Sequence, residues 1–128
     1  MSSQEVVTLQ DRHNALLNRR ELEVIIKNVK GQLTKIEASS IVASHFKLSQ
    51  QDQVMPILIR SQTGLTDIHA SFYVYKSQED AQRQLPRYLM LRNMSKEDRK
   101  KIIDEEKAAK LRAKQAAAAE AKTSKGRK

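Results

Sequence analysis

Cations are concentrated at the C-terminal end of this chain, where they could neutralise phosphate groups. Residues 95–128 carry twelve Lys or Arg and six Asp or Glu, whereas residues 1–94 carry twelve and nine. Two thirds of the formal charge of +9 therefore lie in this short segment. Clustered cations of this kind suit a polyanion such as a nucleic-acid backbone. The side chains that we expect to bind RNA phosphates here are Lys96, Arg99, Lys100, Lys101, Lys107, Lys110, Arg112 and Lys114.

These cations must be carried by a helix, because residues 95–122 consist largely of strong helix formers. Pairs such as Glu97–Lys101 and Glu106–Lys110 would stabilise it by only about 0.2–0.5 kcal/mol each, as in any solvated helix. Ile102, Ile103 and Leu111 follow no sustained heptad, which argues against a coiled coil. The face opposite the charges is mostly Ala, which argues against a membrane-surface helix. Residues 123–128 are predicted to fray.

A second group of cations, Arg12, Arg19 and Arg20, flanks a predicted turn between two strands. Their guanidinium groups could fork onto adjacent phosphates, although ordinary solvated charges would give the same pattern. We expect Leu16 and Leu17 to tuck into the sheet and to fix the loop between these arginines.

Aromatic side chains offer a third kind of RNA contact. Tyr73 and Tyr75 alternate with His69 on one face of a predicted strand, which could form a base-stacking platform. Packing beneath a helix is the more ordinary explanation for such residues. Tyr88 is the better stacking candidate, because Arg87 and Arg92 flank it in a basic segment.

Catalytic and metal-binding patterns are sparse in this sequence. Asp67 and His69 are two residues apart on a predicted strand and so could form an acid–base or metal pair, but no third ligand accompanies them. The sequence contains no Gly-rich phosphate loop, zinc-ligand spacing or nucleophile elbow. It also lacks Cys, which excludes disulfides and thiolate chemistry. We predict a non-enzymatic protein without a cofactor.

The hydrophobic periodicity predicts an α+β fold with one mainly antiparallel sheet. Leu22, Val24 and Ile26 alternate on one strand. Because Pro56 cannot donate a ladder hydrogen bond, its strand should lie at a sheet edge or begin after the proline. The predicted elements are a strand over 5–10, an irregular or short helical crossover over 11–20, strands over 21–29, 54–60 and 67–75, helices over 34–46 and 77–85, a linker over 86–94 and the long helix from 95.

The length of 128 residues fits one domain of roughly ninety residues (1–94) followed by a basic helical extension (95–128). No apolar run approaches the roughly 20 residues that span a bilayer. The segment Met1–Glu5 has no basic or apolar region typical of a secretory signal.

Three segments resemble the family of the twenty-fourth small-subunit ribosomal protein of eukaryotes and archaea. They are Asn14–Arg20 (NALLNRR), Ile57–Arg60 (ILIR) and Tyr75–Ala81 (YKSQEDA), and the resemblance covers roughly residues 6–92. It implies a small domain with a four-stranded antiparallel sheet that binds small-subunit ribosomal RNA. The family's basic positions correspond here to Arg19, Arg20, Arg60, Arg87 and Arg92. Leu58 replaces a usual Gly, and the hairpin loop over 61–67 has lost most of its glycines.

The resemblance implies a structural constituent of the small ribosomal subunit. Its partners would be ribosomal RNA and neighbouring ribosomal proteins, with no membrane and no small-molecule substrate. It also implies a cytoplasmic location on the ribosome, with a nucleolar assembly stage. Two alternatives remain: a nucleic-acid-binding module acting outside the ribosome, and a protein adaptor whose long helix docks through Ile102, Ile103 and Leu111.

Overall fold

The computed structural model describes residues 4–29 and 33–126 of the chain. It has the predicted α+β architecture and the long C-terminal helix. The chain divides into two compact units, with the boundary between Asn93 and Met94. The elements are β1 (Val6–Asn14), β2 (Arg19–Ile26), α1 (Lys35–His45), β3 (Gln53–Ser61), β4 (Ile68–Tyr75), α2 (Gln78–Gln84), α3 (Arg87–Asn93) and α4 (Lys96–Lys125).

The four strands form one antiparallel sheet in the order β1-β2-β4-β3. The two inner strands are those with the cleanest alternation of apolar residues, as expected for strands that have neighbours on both sides. β3 lies at an edge of the sheet, which confirms the expectation from Pro56, since proline cannot donate a ladder hydrogen bond.

One face of the sheet packs against α1 and forms the main core. Leu22, Phe72 and Pro56 lie side by side across β2, β4 and β3, and Phe72 has no exposed surface. The other buried members of this core are Val24, Ile26, Val29, Ala38, Val42, Ile68, Ala70 and Val74. A capping box begins α1: the Glu37 amide donates to the Thr34 hydroxyl, and the Thr34 amide donates to the Glu37 carboxylate.

The opposite face of the sheet is covered at one end by α2 and α3. A second buried cluster there consists of Met55, Tyr75, Ala81, Leu85 and Leu89, with Tyr73 partly buried against it. The tyrosines of β4 therefore pack in the interior, as the ordinary explanation expected. The prediction of a linker over 86–94 was wrong, because Leu89 turns inward from α3 and is buried in this cluster.

The first hairpin also differs from its prediction. β1 continues to Asn14, and only residues 15–18 form the turn, so the expected irregular or helical crossover over 11–20 is wrong. Cross-strand charge pairs stabilise the second half of β1, from Gln10 to Asn14, which is polar on both faces. The turn is closed by the Asn14 side chain, which accepts a hydrogen bond from the Leu17 amide at 3.2 Å. Leu16 is 97% exposed and Leu17 is 37% exposed, so the prediction that they tuck into the sheet was wrong.

Candidate nucleic-acid interface

Six lysines of α4 share one face of the helix. At 3.6 residues per turn they fall within an arc of about 80° around the helix axis. Each of these side chains is exposed. We call this set the lysine stripe; its members are Lys96, Lys100, Lys107, Lys110, Lys114 and Lys125. The stripe follows almost the whole helix, which is about 45 Å long at 1.5 Å per residue.

The acidic residues of α4 occupy the rest of its circumference. All six lie outside the arc of the lysine stripe, so the charged groups on one face are all cations and the other, mixed face carries both signs; the acidic residues are Glu97, Asp98, Asp104, Glu105, Glu106 and Glu120. Lys101 and Arg112 project from the mixed face, and Lys101 Nζ lies 3.9 Å from Asp98 Oδ1. Arg99 lies beside the stripe, about 20° from Lys110. The predicted tail cations are therefore not equivalent.

The apolar residues of α4 do not form a docking face. Ile102 and Ile103 differ by about 100° around the axis, and Leu111 lies about 80° beyond Ile103. No residue of Lys96–Lys125, all of which the structure describes, is buried. A helix that docks in an apolar groove presents its anchors on one side. This geometry weighs against the adaptor alternative.

The ends of α4 match the helix dipole. The Ser95 hydroxyl accepts from the Asp98 amide at 3.2 Å, and the acidic Glu97 and Asp98 lie in the first turn. Lys122 and Lys125 lie in the last turn. Charges of these signs at these ends favour the helix. The predicted fraying was wrong for residues 123–125, because the helix continues to Lys125. The predicted fraying of Arg127 and Lys128 lies outside the described residues.

The arginines of the first hairpin are held by two carboxylates. Glu21 Oε2 lies 3.0 Å from Arg12 Nη2, and Glu21 Oε1 lies 2.9 Å from Arg19 Nε. Arg19 also donates to the Tyr75 hydroxyl at 3.3 Å, and its guanidinium carbon lies 3.9 Å from the centroid of the Tyr73 ring. With a side chain only 15% exposed, Arg19 is part of the packing of the sheet.

Arg20 projects from the other face of the sheet. Arg20 Nε donates to Asp11 Oδ1 at 2.8 Å, and a second bond joins Arg20 Nη2 to Asp11 Oδ2. Its guanidinium carbon lies 5.1 Å from the centroid of the Phe46 ring. The three arginines that the sequence grouped together are thus divided between two faces, since alternate residues of a strand point opposite ways.

The pKa values of both carboxylates stay low in this arrangement. Burial by itself raises the pKa of Glu21, but hydrogen bonds from Arg19, Asn14 and Arg12 outweigh it and leave that pKa below its ordinary value. The Arg20 hydrogen bonds lower the pKa of Asp11 against partial burial. Both groups are therefore ionised at neutral pH. The three arginines exceed the two carboxylates that hold them by one charge, and Glu23 of β2 balances that charge over the whole hairpin.

The remaining predicted contacts lie on β3 and α3. Arg60 is exposed on β3, and within the described residues its side chain has no hydrogen bond or ion pair. Arg87 and Arg92 belong to α3, where the Arg92 guanidinium carbon lies 5.3 Å from the centroid of the Tyr88 ring. Tyr88 is 56% exposed, so its ring is accessible for stacking.

The weak catalytic and metal hypotheses find no support. Asp67 precedes β4 and accepts from the neighbouring Thr66 hydroxyl at 3.3 Å, while His69 lies within the strand. No group of three or more His, Asp or Glu in residues 4–29 and 33–126 could hold a metal ion. Over the same ranges, no helix is both long and apolar enough to cross a bilayer.

Sequence reasoning missed one member of the stripe. Lys125 lies eleven residues beyond Lys114, which brings it back to the same face of α4 after about three turns. Counting angular positions from Lys96 would have found it. The same count would have separated Lys101 and Arg112 from the other cations.

A comparison with known families matches the N-terminal part of the chain, before α4, to one family. The model of the family described as Ribosomal protein S24e matches residues 4–94. In a search of curated proteins, no individual protein matched the chain. The family match covers most of the 128 residues, includes the whole sheet with α1, α2 and α3, and ends just before α4. This chain therefore belongs to the ribosomal protein S24e family, a non-enzymatic, structural class of small-subunit ribosomal proteins.

Proposed function

We propose that this protein binds small-subunit ribosomal RNA, and that the lysine stripe of α4 is its principal phosphate-binding surface. The observation that carries the proposal is the separation of charge around α4. Six lysines lie on one face and every carboxylate lies off it. A helix that needed charge only for solubility would gain nothing from this segregation, because interspersed pairs stabilise a solvated helix better.

The spacing of the stripe suits a line of phosphates. Lys100, Lys107 and Lys114 follow one another at seven-residue intervals, or about 10.5 Å along the helix axis. A nucleic-acid backbone carries phosphates more closely than this, so each ammonium group can reach one without distortion. Every phosphate that is neutralised releases condensed counterions, and that release drives binding.

The arginines of the folded unit have different proposed roles. Arg12, Arg60, Arg87 and Arg92 are exposed, and we assign them to direct phosphate contacts, with Tyr88 stacking on a base. Arg20 has a partly exposed guanidinium that Asp11 already holds in place, so it can meet a phosphate at little further ordering cost. Arg19 is a positioning residue, because Glu21, Tyr73 and Tyr75 occupy most of its surface.

The two parts of the chain divide this work. We propose that residues 1–94 form the globular ribosomal-protein domain, which recognises the shape of folded RNA. Residues 95–128 form the basic extension, and Arg127 and Lys128 at its end lie outside the described residues. The remaining tail cations, Lys101, Arg112 and Arg99, contribute mainly long-range attraction. The protein acts on cytoplasmic ribosomes beside other ribosomal proteins, after assembly in the nucleolus.

The salt dependence of RNA binding tests this function. If the six lysines of the stripe and the four exposed arginines each neutralise a phosphate, the logarithm of the affinity should fall with the logarithm of the salt concentration with a slope between about −7 and −9. Filter binding of the full chain to small-subunit ribosomal RNA over a range of KCl concentrations measures that slope. A slope of about −3 to −4, or shallower, would contradict the proposal, since the four arginines alone would account for it and the stripe would be left without phosphates.

A further inference from the structure

A groove remains open on the face of the sheet that α2 and α3 cover only in part. Tyr73 and Tyr75 mark the covered end, whereas the end nearer His69 is exposed. The groove has a volume of about 600 Å³ and crosses all four strands. The side chains that matter here are Leu9, Glu23, Leu58, Arg60, His69 and Ser71.

The strand register arranges these side chains in two rows. Glu23, Ser71 and Leu58 lie directly beside one another across β2, β4 and β3. In the next row His69 lies beside Arg60. Neighbouring strands are about 4.8 Å apart, so the floor of the groove is wide enough for a planar heterocycle.

The two walls of the groove are aliphatic and exposed. Leu9 is 54% exposed at one edge of the sheet and Leu58 is 43% exposed at the other. Both lie at register shifts of their strands, between Thr8 and Gln10 in β1 and between Pro56 and Leu58 in β3. Such bulges redirect side chains. The walls thus present apolar surface to anything that enters above the polar floor.

The polar groups of the groove have no partner within the described residues. The side chains of Glu23, Arg60 and His69 make neither a hydrogen bond nor an ion pair there. On the same face Glu21 is fully engaged with Arg12 and Arg19. The contrast is specific: the carboxylate at the covered end holds the fold together, and the carboxylate at the open end is available.

We infer that this groove binds one unpaired RNA nucleotide and that it prefers guanine. The Glu23 carboxylate can accept two parallel hydrogen bonds from the N1–H and N2–H₂ groups of guanine. Uracil offers one N–H flanked by two carbonyl acceptors, which the carboxylate repels. Leu9 and Leu58, at opposite edges of the sheet, would contact the base and its ribose from the two sides of the groove, and Arg60 would bind the phosphate. Unpaired bases are the usual targets of sequence-specific RNA recognition.

This inference rests on the proposed RNA-binding function and adds a base preference to it. A peptide from a neighbouring protein is the competing occupant. Nothing in the groove favours a peptide in particular. A carboxylate on β2 and a guanidinium on β3, with β4 between them, match the donor edge and the phosphate of a single nucleotide.

Two short oligonucleotides separate the groove from the lysine stripe. The stripe binds phosphates without regard to sequence, so it contributes equally to UUGUU and UUUUU. If the groove binds guanine, the full chain should bind UUGUU at least about fivefold more tightly, since one bidentate base contact is worth about 5- to 150-fold. Fluorescence anisotropy with labelled oligonucleotides measures both affinities at one salt concentration.

Single-residue variants test whether the groove is the source of the guanine preference. Glu23→Gln should abolish it, since the amide cannot accept two bonds in parallel, and Leu58→Ala should reduce it. Glu23 is exposed and unpartnered, so the Gln variant should fold. Glu79→Gln, an exposed carboxylate of α2, is the matched control and should keep the preference.

Three outcomes would overturn the inference. Equal binding of the two oligonucleotides by the unaltered chain would remove the base site and leave the RNA-binding function standing. A guanine preference that survives Glu23→Gln would place the base elsewhere. Failure to bind either oligonucleotide would contradict the proposed function itself and the base site with it.

Discussion

Replacing Lys107 and Lys114 with Glu should weaken binding to small-subunit ribosomal RNA by about 30- to 100-fold at physiological salt. Each substitution removes one phosphate contact, worth about fivefold through counterion release at this ionic strength, and adds a charge that repels the backbone. Filter binding of the full-length variant against the unaltered chain measures the loss. The slope of the logarithm of affinity against the logarithm of salt concentration should become shallower by the contribution of about two phosphate contacts.

A second double variant supplies the control for total charge. Lys101→Glu with Arg112→Glu changes the net charge by the same amount, but both residues project from the mixed face of α4. We expect this variant to lose less than about fivefold, through long-range attraction alone. Both variants keep good helix formers, and circular dichroism should confirm equal helix content. Equal losses in the two variants would mean that only the summed charge matters, and the stripe would have no special role.

Replacing Phe72 with Ala should unfold much of the N-terminal unit. Phe72 has no exposed surface and lies between Leu22 and Pro56 at the centre of the core. Truncation of a buried Phe costs about 3–5 kcal/mol, a large part of the 5–15 kcal/mol that typically stabilises a domain. Urea unfolding followed by the near-ultraviolet signal of the tyrosines measures the change without interference from α4.

Tyr88→Ala is the matched aromatic control. Tyr88 is 56% exposed on α3, so its loss should change the free energy of unfolding by no more than about 0.5 kcal/mol. The account of the core would be contradicted if the Phe72 and Tyr88 variants had similar stabilities. The account of the core would also be contradicted if Phe72→Ala lowered the free energy of unfolding by less than about 1 kcal/mol, because Phe72 would then not be central to the core.

The inner strands were predictable because their signal is local. Leu22, Val24 and Ile26 alternate with polar residues in β2, and Ile68 and Phe72 do so in β4. A period of two identifies a half-buried strand without knowledge of its partners. The Thr34–Glu37 capping box was readable for the same reason, since all its hydrogen bonds join residues three apart.

The first hairpin and α3 depended on partners distant in the sequence. β1 extends through Asp11 and Arg12 because Leu22 and Glu21 of β2 lie opposite them and Arg20 binds the Asp11 carboxylate. That register follows from a turn the sequence did not define. α3 forms where Leu89 can join a cluster built from Met55 and Tyr75. Neither the β1–β2 register nor the packing of α3 produces a hydrophobic periodicity within its own segment of sequence.

The candidate nucleic-acid interface was also predictable from the sequence only in part. The composition of residues 95–128 alone predicted a phosphate-binding helix, and its stripe follows from the positions of its lysines. The sheet arginines were grouped by sequence proximity, yet Arg19 and Arg20 point to opposite faces and each is held by a carboxylate. The groove beside Glu23 was not predictable, because its walls come from opposite edges of the sheet.

Photochemical cross-linking of purified small ribosomal subunits tests the central claim most directly. Ultraviolet irradiation followed by mass spectrometry identifies which peptides of this chain carry covalently attached ribonucleotides. The lysine stripe predicts RNA adducts on the peptides that contain Lys100, Lys107 and Lys114, recurring along α4 from one turn to the next. Subunits that contain the protein, but in which α4 cross-links only to another protein and carries no nucleotide, would contradict the account.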